Sequence, residues 1–533
     1  MSKVVTTKEV ISALKEGDTL STVGFSMMGA SETILKAIEK NFENTGMPRN
    51  LTLIHAAGQS DRVGGIERLA KPGLVKKIIG AHWGVAPTWS DLIHNNEVEA
   101  YCLPQGQLVH LFKSMASGKP GNFSKVGLGT FIDPRVEGGR INKLSKESED
   151  SLVDIIDIKG EEFLFYNSVP IDVAVIRGTT ADEKGNITIE EEGVKLESLA
   201  VAQAAKANGG KVFAQVKYLV KTGTLHPKEV TVPGMHVDGI IISENPQEDH
   251  RLTSSFAYDP SYAGNLIMPT SSSEPLTLNA RKIIGRRAVM ELEPGDVVNL
   301  GTGIPGDVVG PITDEERMNG ELTLSIESGA IGGVPAGGLD FGITKNPEAI
   351  IEQGSKFDYY HGSGVDITFM GMAEADKEGN VNVSKFGSRV VGCGGFIDIT
   401  QFAKQTVFCS TFTSGGLKIS VNNGELRIEQ EGKFNKFLDN VNQITFSGKF
   451  ARENNQPVLY VTERAVFELR ECGLTLTETA PGIDIQTEIL DLMEFKPVVA
   501  DDLKLMDTRI FMEQPMGIAD EFFNKNEEFE SDK

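Results

Sequence analysis

The sequence contains few cysteines, and they are not arranged as metal ligands or as a disulfide framework. Only four occur in 533 residues, Cys102, Cys393, Cys409 and Cys472, and no two of them form a C-x-x-C pair. The eight histidines also lack the spacing of metal ligands. Scattered cysteines of this kind are typical of buried or free thiols in a reducing compartment. We therefore predict a cytoplasmic protein with no metal and no permanently bound cofactor.

Basic residues and long apolar runs are also scarce. The 52 Lys and Arg are outnumbered by 75 Asp and Glu, which gives a net charge of −23. Nucleic acids and anionic membranes bind basic surfaces, so we expect neither as a partner. No stretch approaches the ~18 uninterrupted apolar residues of a membrane-spanning helix, and the amino terminus lacks the apolar segment of a signal peptide. An anionic ligand would have to be held locally, by backbone N–H groups or a few cations.

Glycine, in contrast, is abundant, and the chain repeats its own pattern. Residues 16–38 and 294–309 each have a Gly-Asp turn, a β-rich run, a glycine-bearing turn and then apolar residues at helical spacing. Residues 179–189 and 372–383 share the pattern Ala-Asp-x-x-Gly-Asn. Two matches in the same order predict a duplicated α/β unit, with about 80 extra residues in the first copy.

A chain of this length exceeds the usual range of one hydrophobic core and predicts two domains. We place the first domain at residues 1–245, a linker or strap at 246–280, and the second domain at 281–518. An acidic tail follows at 519–533, and we expect its residues 524–533 to be disordered. Short Val, Ile and Leu runs alternate with helical patterns in both halves. This alternation predicts the α/β class, with two related open sheets flanked by helices.

The run LTLSIESGAIGG at residues 322–333 ends a predicted core strand with the carboxylate of Glu327 and continues with small residues. Small neighbours would let a bulky electrophile reach the carboxylate, and their N–H groups could stabilise an oxyanion. A salt bridge to a neighbouring strand would explain Glu327 but not the glycines. The pattern is typical of a nucleophilic glutamate, with ordinary turns of a glycine-rich protein as the alternative.

A different function is suggested by GTGIPG at residues 301–306, which matches the G-x-G-x-x-G pattern of dinucleotide-binding turns. Glu327, 26 residues after Gly301, would then bind the ribose of NAD. Pro305 weighs against this because it lacks the N–H that a pyrophosphate needs. The glycines after Glu327 have no role in ribose binding, and the first-half turn at 24–29 lacks the pattern. A phosphate-bearing ligand of some kind is still expected near this turn.

Longer segments extend the argument to a family. They are VGFSMMG (23–29), PQG (104–106), VGLGTFIDPR (126–135), VPGMHVD (232–238), GTGIP (301–305), SIESGAIGG (325–333), NVNVSKFG (380–387) and GCGGF (392–396). On these segments the chain, from residue 1 to about 517, resembles the family I coenzyme A transferases, in particular the fused-chain acetate/propionate type. Relatives with two separate subunits have Asn-Gly after the nucleophile. Here Ser328 and Gly329 follow it, as in the fused type.

The resemblance implies a short-chain acyl-CoA:carboxylate CoA-transferase that works by a ping-pong mechanism. Glu327 would attack the acyl-CoA thioester to give a glutamyl–acyl anhydride, and the CoA thiolate would then form a glutamyl-CoA thioester. An incoming carboxylate would reverse both steps without ATP or metal, so CoA is a substrate and part of the intermediate. Interception of the thioester by water would make the protein an acyl-CoA hydrolase. An NAD-dependent oxidoreductase and a non-catalytic acyl-CoA sensor are the alternatives from other classes, and homo-oligomers are implied by the resemblance alone.

The resemblance also implies binding residues. Coenzyme A would be bordered by Gly301, Thr302, Gly303, Ile304 and Pro305, and held by Asn382, Gly394, Gly395 and Lys418. The acyl group would face Gln105, Gly106, Gly127 and Gly129, which would complete the site between the halves. Cys393 is interpreted as a small buried thiol. Acetate, propionate, butyrate, lactate and acetoacetate are not distinguished, because each methylene contributes only about 1–3 kcal/mol to discrimination.

Overall fold

The computed structural model describes residues 2–269, 276–362 and 364–531. Its first half is built on a seven-stranded sheet in which all strands are parallel. In spatial order the strands are Gly239–Ile242, Lys211–Val216, Val173–Arg177, Thr19–Thr22, Leu51–Ile54, Val75–Gly80 and Glu99–Cys102.

The second half is built on a ten-stranded mixed sheet with a parallel centre. In spatial order its strands are Ala349–Ile350, Ala330–Ile331, Thr323–Ser325, Val297–Leu300, Ile367–Gly371, Gln405–Cys409, Val458–Val461, Ala465–Arg470, Gly473–Thr479 and Val498–Leu505. The two open sheets confirm the predicted α/β class.

Helices and short ribbons complete both halves. The α-helices are Thr7–Ala13, Glu32–Thr45, Pro87–His94, Gln105–Ala116, Lys143–Glu147, Ser198–Ala207, Pro246–Asp249, Ala280–Val289, Gly310–Glu315, Gln353–Gly362, Phe396–Thr400, Gly448–Glu453, Ile485–Glu488 and Ala519–Ser531. The three-stranded ribbons are Gly121–Ser124 with Glu161–Asn167 and Val153–Ile158, Ile187–Thr188 with Thr180–Asp182 and Tyr218–Val220, and Val381–Asn382 with Glu374–Asp376 and Phe437–Leu438. The two-stranded ribbons are Val334–Pro335 with Thr344–Lys345, Lys385–Phe386 with Arg389–Val390, Thr413–Ser414 with Phe434–Asn435, and Lys418–Asn422 with Glu425–Gln430.

Local sequence accounts for the ends of several helices. The Asn279 side chain accepts a hydrogen bond from the N–H of Lys282, and the Ser447 side chain accepts one from Phe450, as N-caps do. Gly46, at φ 71°, ends the helix Glu32–Thr45 in the left-handed conformation that glycine adopts without a steric penalty. One cluster of buried apolar side chains extends from the first half into the second, so the halves pack on a shared core.

The predicted duplication is visible in hydrogen bonds from the first backbone N–H of each central strand to an aspartate side chain. The N–H of Thr19 donates to Oδ2 of Asp172, and the N–H of Val297 donates to Oδ2 of Asp366, each at 2.8 Å. Each aspartate immediately precedes the neighbouring strand of its sheet. The additional length of the first half lies between its strands Leu51–Ile54 and Val173–Arg177.

The repeated Asp-x-x-Gly-Asn turns also have the same hydrogen bonds. Asp182 accepts from the backbone N–H groups of Lys184 and Asn186 and from the Asn186 side chain, at 2.8–3.0 Å. In the second half, Asp376 accepts the corresponding three bonds, all at 3.0 Å. The repeated sequence pattern therefore forms the same hydrogen-bonded turn in both halves.

The acidic end of the chain differs from the prediction. Ala519–Ser531 is an α-helix, and its Phe522 is buried in an apolar cluster of the second half whose members include Ile283, Val309 and Ile510. The expectation of disorder is therefore wrong for residues 524–531, while 532–533 lie outside the described residues. Within the predicted linker or strap, Asn265 donates to the carbonyl of Glu190, and Met268 donates to the Asn346 side chain. The described part of that segment thus contacts both halves, and the domain boundaries stay a prediction.

No helix in the described part of the chain has the length and apolar character needed to cross a bilayer.

Candidate active site

Glu327 lies at the edge of the second sheet where parallel strands end. It follows the strand Thr323–Ser325, which pairs with Val297–Leu300 in parallel register. Gly301 and Thr302 follow that neighbouring strand and reach the same edge. In open α/β sheets this edge, at the carboxyl ends of the strands, is where ligands bind.

The glycine two residues after Glu327 is required by the backbone. Gly329 has φ +112°, and a Cβ atom placed there would lie 2.2 Å from the carbonyl oxygen of Ile351. The turn reverses the chain, so that Ile331 pairs antiparallel with Ser325. A sharp turn that tolerates no side chain therefore presents Glu327 at its start.

A cavity of about 230 Å³ lies over Glu327 between the two halves. The first half contributes Phe25, Ser26, Gly58, His82, Val85 and Gln105 to its wall. The second half contributes Gly301, Thr302, Glu327 and the turn 392–396, together with apolar side chains that include Phe341 and Met370. Both halves therefore line the cavity, where the resemblance implies a site between them.

The turn 392–396 packs directly on the glutamate. A Cβ atom at Gly395 would lie 3.4 Å from Cγ of Glu327. The carbonyl of Gly394 accepts a hydrogen bond of 3.0 Å from the N–H of Gln105, which joins this turn to the first half. Gln105 is itself buried, and its Nε2 has no hydrogen-bond partner among the described residues. A buried donor without a partner costs about 1–3 kcal/mol, so a ligand oxygen in the cavity would satisfy it.

The environment of Glu327 favours its neutral form more than water does. Burial raises the pKa of Glu327 to about 7, against the positive charge of Lys356 and with a small addition from Asp398. Lys356 is only 2% exposed, and burial lowers its pKa to about 8 although Glu327 raises it. Its Nζ lies 5.1 Å from the ring centroid of Tyr360. A carboxyl and an amine that both titrate near neutrality therefore share one buried region.

Tyr360 connects this region to the strands below Glu327. Its hydroxyl accepts a hydrogen bond of 3.1 Å from Nδ2 of Asn299 and lies 3.0 Å from Oγ of Ser325. Sequence reasoning missed Lys356, Tyr360 and Asn299. A lysine on a helix is usually a solvated charge, and the only signal was the presence of Lys and Tyr four residues apart on a helix near the site.

The structure brings part of the predicted CoA-binding set to the cavity. Gly301, Thr302, Gly394 and Gly395 line it. Gly303, Ile304 and Pro305 continue into the helical segment Pro305–Val309 and do not line it. The N–H groups of Gly306 and Asp307 donate to the carbonyls of Gly301 and Gly303, so these two N–H groups are not available to a pyrophosphate.

Asn382 and Lys418 are not at the cavity. The Asn382 side chain is buried, donates to Glu374 and to the carbonyl of Lys385, and so holds the turn that carries the cavity-lining Val383. Lys418 is exposed at the start of the ribbon strand Lys418–Asn422. Neither residue lines the cavity, and the contact of both with CoA stays a prediction.

Of the four residues predicted to face the acyl group, only Gln105 lines the cavity. The N–H of Gly106 donates to Oδ2 of Asp398, where it joins the halves. The N–H groups of Gly127 and Gly129 donate to the side chains of Gln401 and Asp133. The bonds of Gly106 and Gly127 join the halves, whereas that of Gly129 lies within the first half, and none of the three glycines lines the cavity.

Comparisons with known proteins agree with this arrangement. A model of the coenzyme A transferase family matches residues 4–243. Over 524 residues the chain is 45% identical to caffeate CoA-transferase of Acetobacterium woodii, covering 97% of this chain and 99% of that one. The chain belongs to the coenzyme A transferase family. It is also 41% identical to acetate CoA-transferase YdiF of Escherichia coli O157:H7 over 519 residues, covering 97% and 96% of the two chains.

A solved structure of acyl-CoA transferase YdiF from Escherichia coli O157:H7, as a thioester complex with CoA, superposes with a TM-score of 0.89. It is 39% identical, and the match covers 97% of each chain. Both halves of this CoA transferase therefore have counterparts in one continuous relative, which confirms the fused-chain resemblance.

Proposed function

We propose that this CoA transferase exchanges acyl-CoA with free carboxylates through a glutamyl-CoA thioester on Glu327. The observation that carries the proposal is the position of that carboxylate, at the wall of a cavity between the halves with the Gly395 backbone against it. Membership of the family supports a transferase over an NAD-dependent oxidoreductase or a non-catalytic sensor.

The geometry suggests how the steps are shared. The ionised Glu327 attacks the thioester carbonyl, and Gln105 Nε2 and the Gly395 N–H donate to the oxygen that becomes negative. The CoA thiolate then attacks the glutamyl carbonyl and releases the acid. Lys356 lowers the pKa of Glu327 and Glu327 raises that of Lys356, so the buried amine favours the ionised form of the glutamate that attacks.

Short-chain acids, including acetate and propionate, are the proposed carboxylates, which the name of the acetate-using relative supports. A second candidate is an aryl acid. The cavity wall includes Phe25, Phe341 and Phe396, and one relative is named for caffeate.

Initial rates with acetyl-CoA as donor test both levels of the proposal. Propionate, butyrate and caffeate are compared as acceptors, and release of CoA without acceptor measures hydrolysis. We expect parallel double-reciprocal lines, as a covalent intermediate requires, with the short-chain acids faster than caffeate. Intersecting lines would contradict the mechanism, a preference for caffeate would contradict only the acid class, and acceptor-independent CoA release would support the hydrolase.

A further inference from the structure

Two cysteines 291 positions apart in the sequence meet beside the active site. Cys102 ends the strand Glu99–Cys102 in the first half, and Cys393 lies in the turn 392–396 of the second half. Their Sγ atoms are 3.7 Å apart, and both residues are buried. The pair therefore spans the contact between the halves.

The two cysteines of the pair lie at different depths from the cavity. Cys393 lines the cavity, whereas Cys102 lies behind it with its Sγ 3.4 Å from the carbonyl oxygen of Ala81. The N–H of Gly394 donates to the same carbonyl at 2.8 Å. A covalent link between the two sulfurs would therefore act on the backbone that positions Gly394 and Gly395.

We propose that Cys102 and Cys393 form a redox-sensitive pair, which a hydroperoxide entering the cavity converts into a disulfide that switches the active site off. Sulfur of Cys393 attacks a peroxide oxygen, the O–O bond breaks, and sulfenic acid and water form with hydrogen peroxide as oxidant. Sulfur of Cys102 then attacks Cys393 sulfur, the S–O bond breaks and a second water leaves. Two thiols lose two electrons, and one peroxide is reduced to two waters.

The link would disturb the catalytic geometry. An S–S bond of about 2.05 Å requires the sulfurs to approach by about 1.7 Å from their present separation. The turn that carries Gly395 packs on Glu327, and a misplacement of about 1 Å can lower turnover on the order of 10²-fold. Burial raises the pKa of the Cys393 thiol well above its usual range, so little thiolate is present and the reaction requires a high dose of peroxide. Disulfides of this transient, sensing kind are the ones expected in a reducing compartment.

The test treats the full-length protein with hydrogen peroxide and reads two signals in parallel. Mass spectrometry of an unreduced digest is expected to find Cys102 and Cys393 peptides cross-linked. Transfer activity is expected to fall at least about tenfold and to return with dithiothreitol. The cross-link does not depend on the proposed function, whereas the loss of activity rests on it.

Two variants separate this pair from general oxidation. Cys102→Ala lies outside the cavity wall and is expected to keep basal activity, to form no cross-link and to lose the dithiothreitol-reversible inactivation. Cys472→Ser removes the exposed thiol and is expected to behave like the wild type. Failure to find the cross-linked peptide at a dose that oxidises Cys472 would overturn the proposal, and so would a cross-linked protein with full activity.

Discussion

The strand that leads to Glu327 has a counterpart in the first half of the molecule. LTLIHAAG at residues 51–58 corresponds to LTLSIESG at 322–329. Thr52 pairs with Thr19 in the first sheet, and Thr323 pairs with Val297 in the second, so the two strands share one register. This register places Ala56 at the position of Glu327.

The two equivalent positions have different surroundings. Ala56 is fully buried and does not line the cavity, while Gly58, the counterpart of Gly329, does. The second copy thus contributes the carboxylate, and the first copy contributes a glycine of the opposing wall. The two copies of the duplicated unit face each other, and one residue difference decides which of them carries the proposed nucleophile.

The largest expected effect comes from shortening Glu327. Glu327→Asp withdraws the carboxylate by about 1.5 Å, and we expect turnover to fall at least about 10²-fold because attack requires near-contact distances. Glu327→Gln is expected to lose more, since an amide is a poor nucleophile. Ala56→Gly, at the equivalent position of the first half, is expected to keep turnover close to wild type. Steady-state rates of the wild type and the three variants measure this. Normal turnover of Glu327→Asp would contradict the proposal that Glu327 is the nucleophile.

The pH dependence of kcat/KM tests the raised pKa of Glu327 and the effect of Lys356 on it, which have no counterpart at Ala56. Since burial raises the pKa of Glu327 to about 7, we expect kcat/KM to rise with pH through neutrality as the carboxylate forms. Lys356→Met removes the opposite charge and is expected to shift this rise to higher pH. Lys8→Met, which removes an exposed charge, is the control. A profile that is flat from pH 5 to pH 8 would contradict the assigned environment.

Burial of Glu327 also has an expected effect on stability. Its folded pKa of about 7 lies above the ordinary value of 4.5, so the folded state binds more protons between these values and becomes less stable as pH rises. Glu327→Gln removes the ionisable group. We expect its free energy of unfolding at pH 8 to exceed that of the wild type by about 1–3 kcal/mol, which raises the urea midpoint. Near pH 4.5 we expect little difference. Equal urea midpoints at pH 8 would show that the carboxylate is not held unfavourably.

The smallest expected effect distinguishes the two repeated turns. Burial raises the pKa of Asp182, but hydrogen bonds from Asn186 and nearby backbone outweigh it and the pKa is lowered. In Asp376 burial dominates and the pKa is raised. We therefore expect Asp182→Asn to lose about 1–3 kcal/mol of stability and Asp376→Asn to lose less. Thermal unfolding of the two variants measures the difference, and a larger loss in Asp376→Asn would contradict the difference in the pKa shifts of the two carboxylates.

The sequence predicted the features that depend on local pattern. The α/β class, the duplication and the placement of Glu327 at a strand end followed from apolar runs, repeated turns and glycines. Local pattern did not predict which residues the fold brings together. Gly127 and Asn382 belong to sequence segments that match the family. Their hydrogen bonds, to the Gln401 side chain and to the carbonyl of Lys385, lie outside the cavity.

Residues missed by the sequence interpretation are those whose role depends on distant packing. Lys356 becomes a buried cation only because the helix Gln353–Gly362 lies near Glu327. Cys102 and Cys393 become neighbours only when the halves meet. The terminal helix was missed because its acidic composition suggested a solvated tail, whereas Phe522 provides an apolar contact.

The central claim is that Glu327 becomes covalently attached to CoA, and peptide mass analysis tests it most directly. The protein is incubated with acyl-CoA and no acceptor, digested and compared with Glu327→Gln treated in the same way. The account predicts that the peptide containing Glu327 gains the mass of CoA less water, that the Gln variant gains nothing, and that the peptide containing Ala56 is unchanged. An unmodified Glu327 peptide from protein that transfers CoA at its full rate would contradict it.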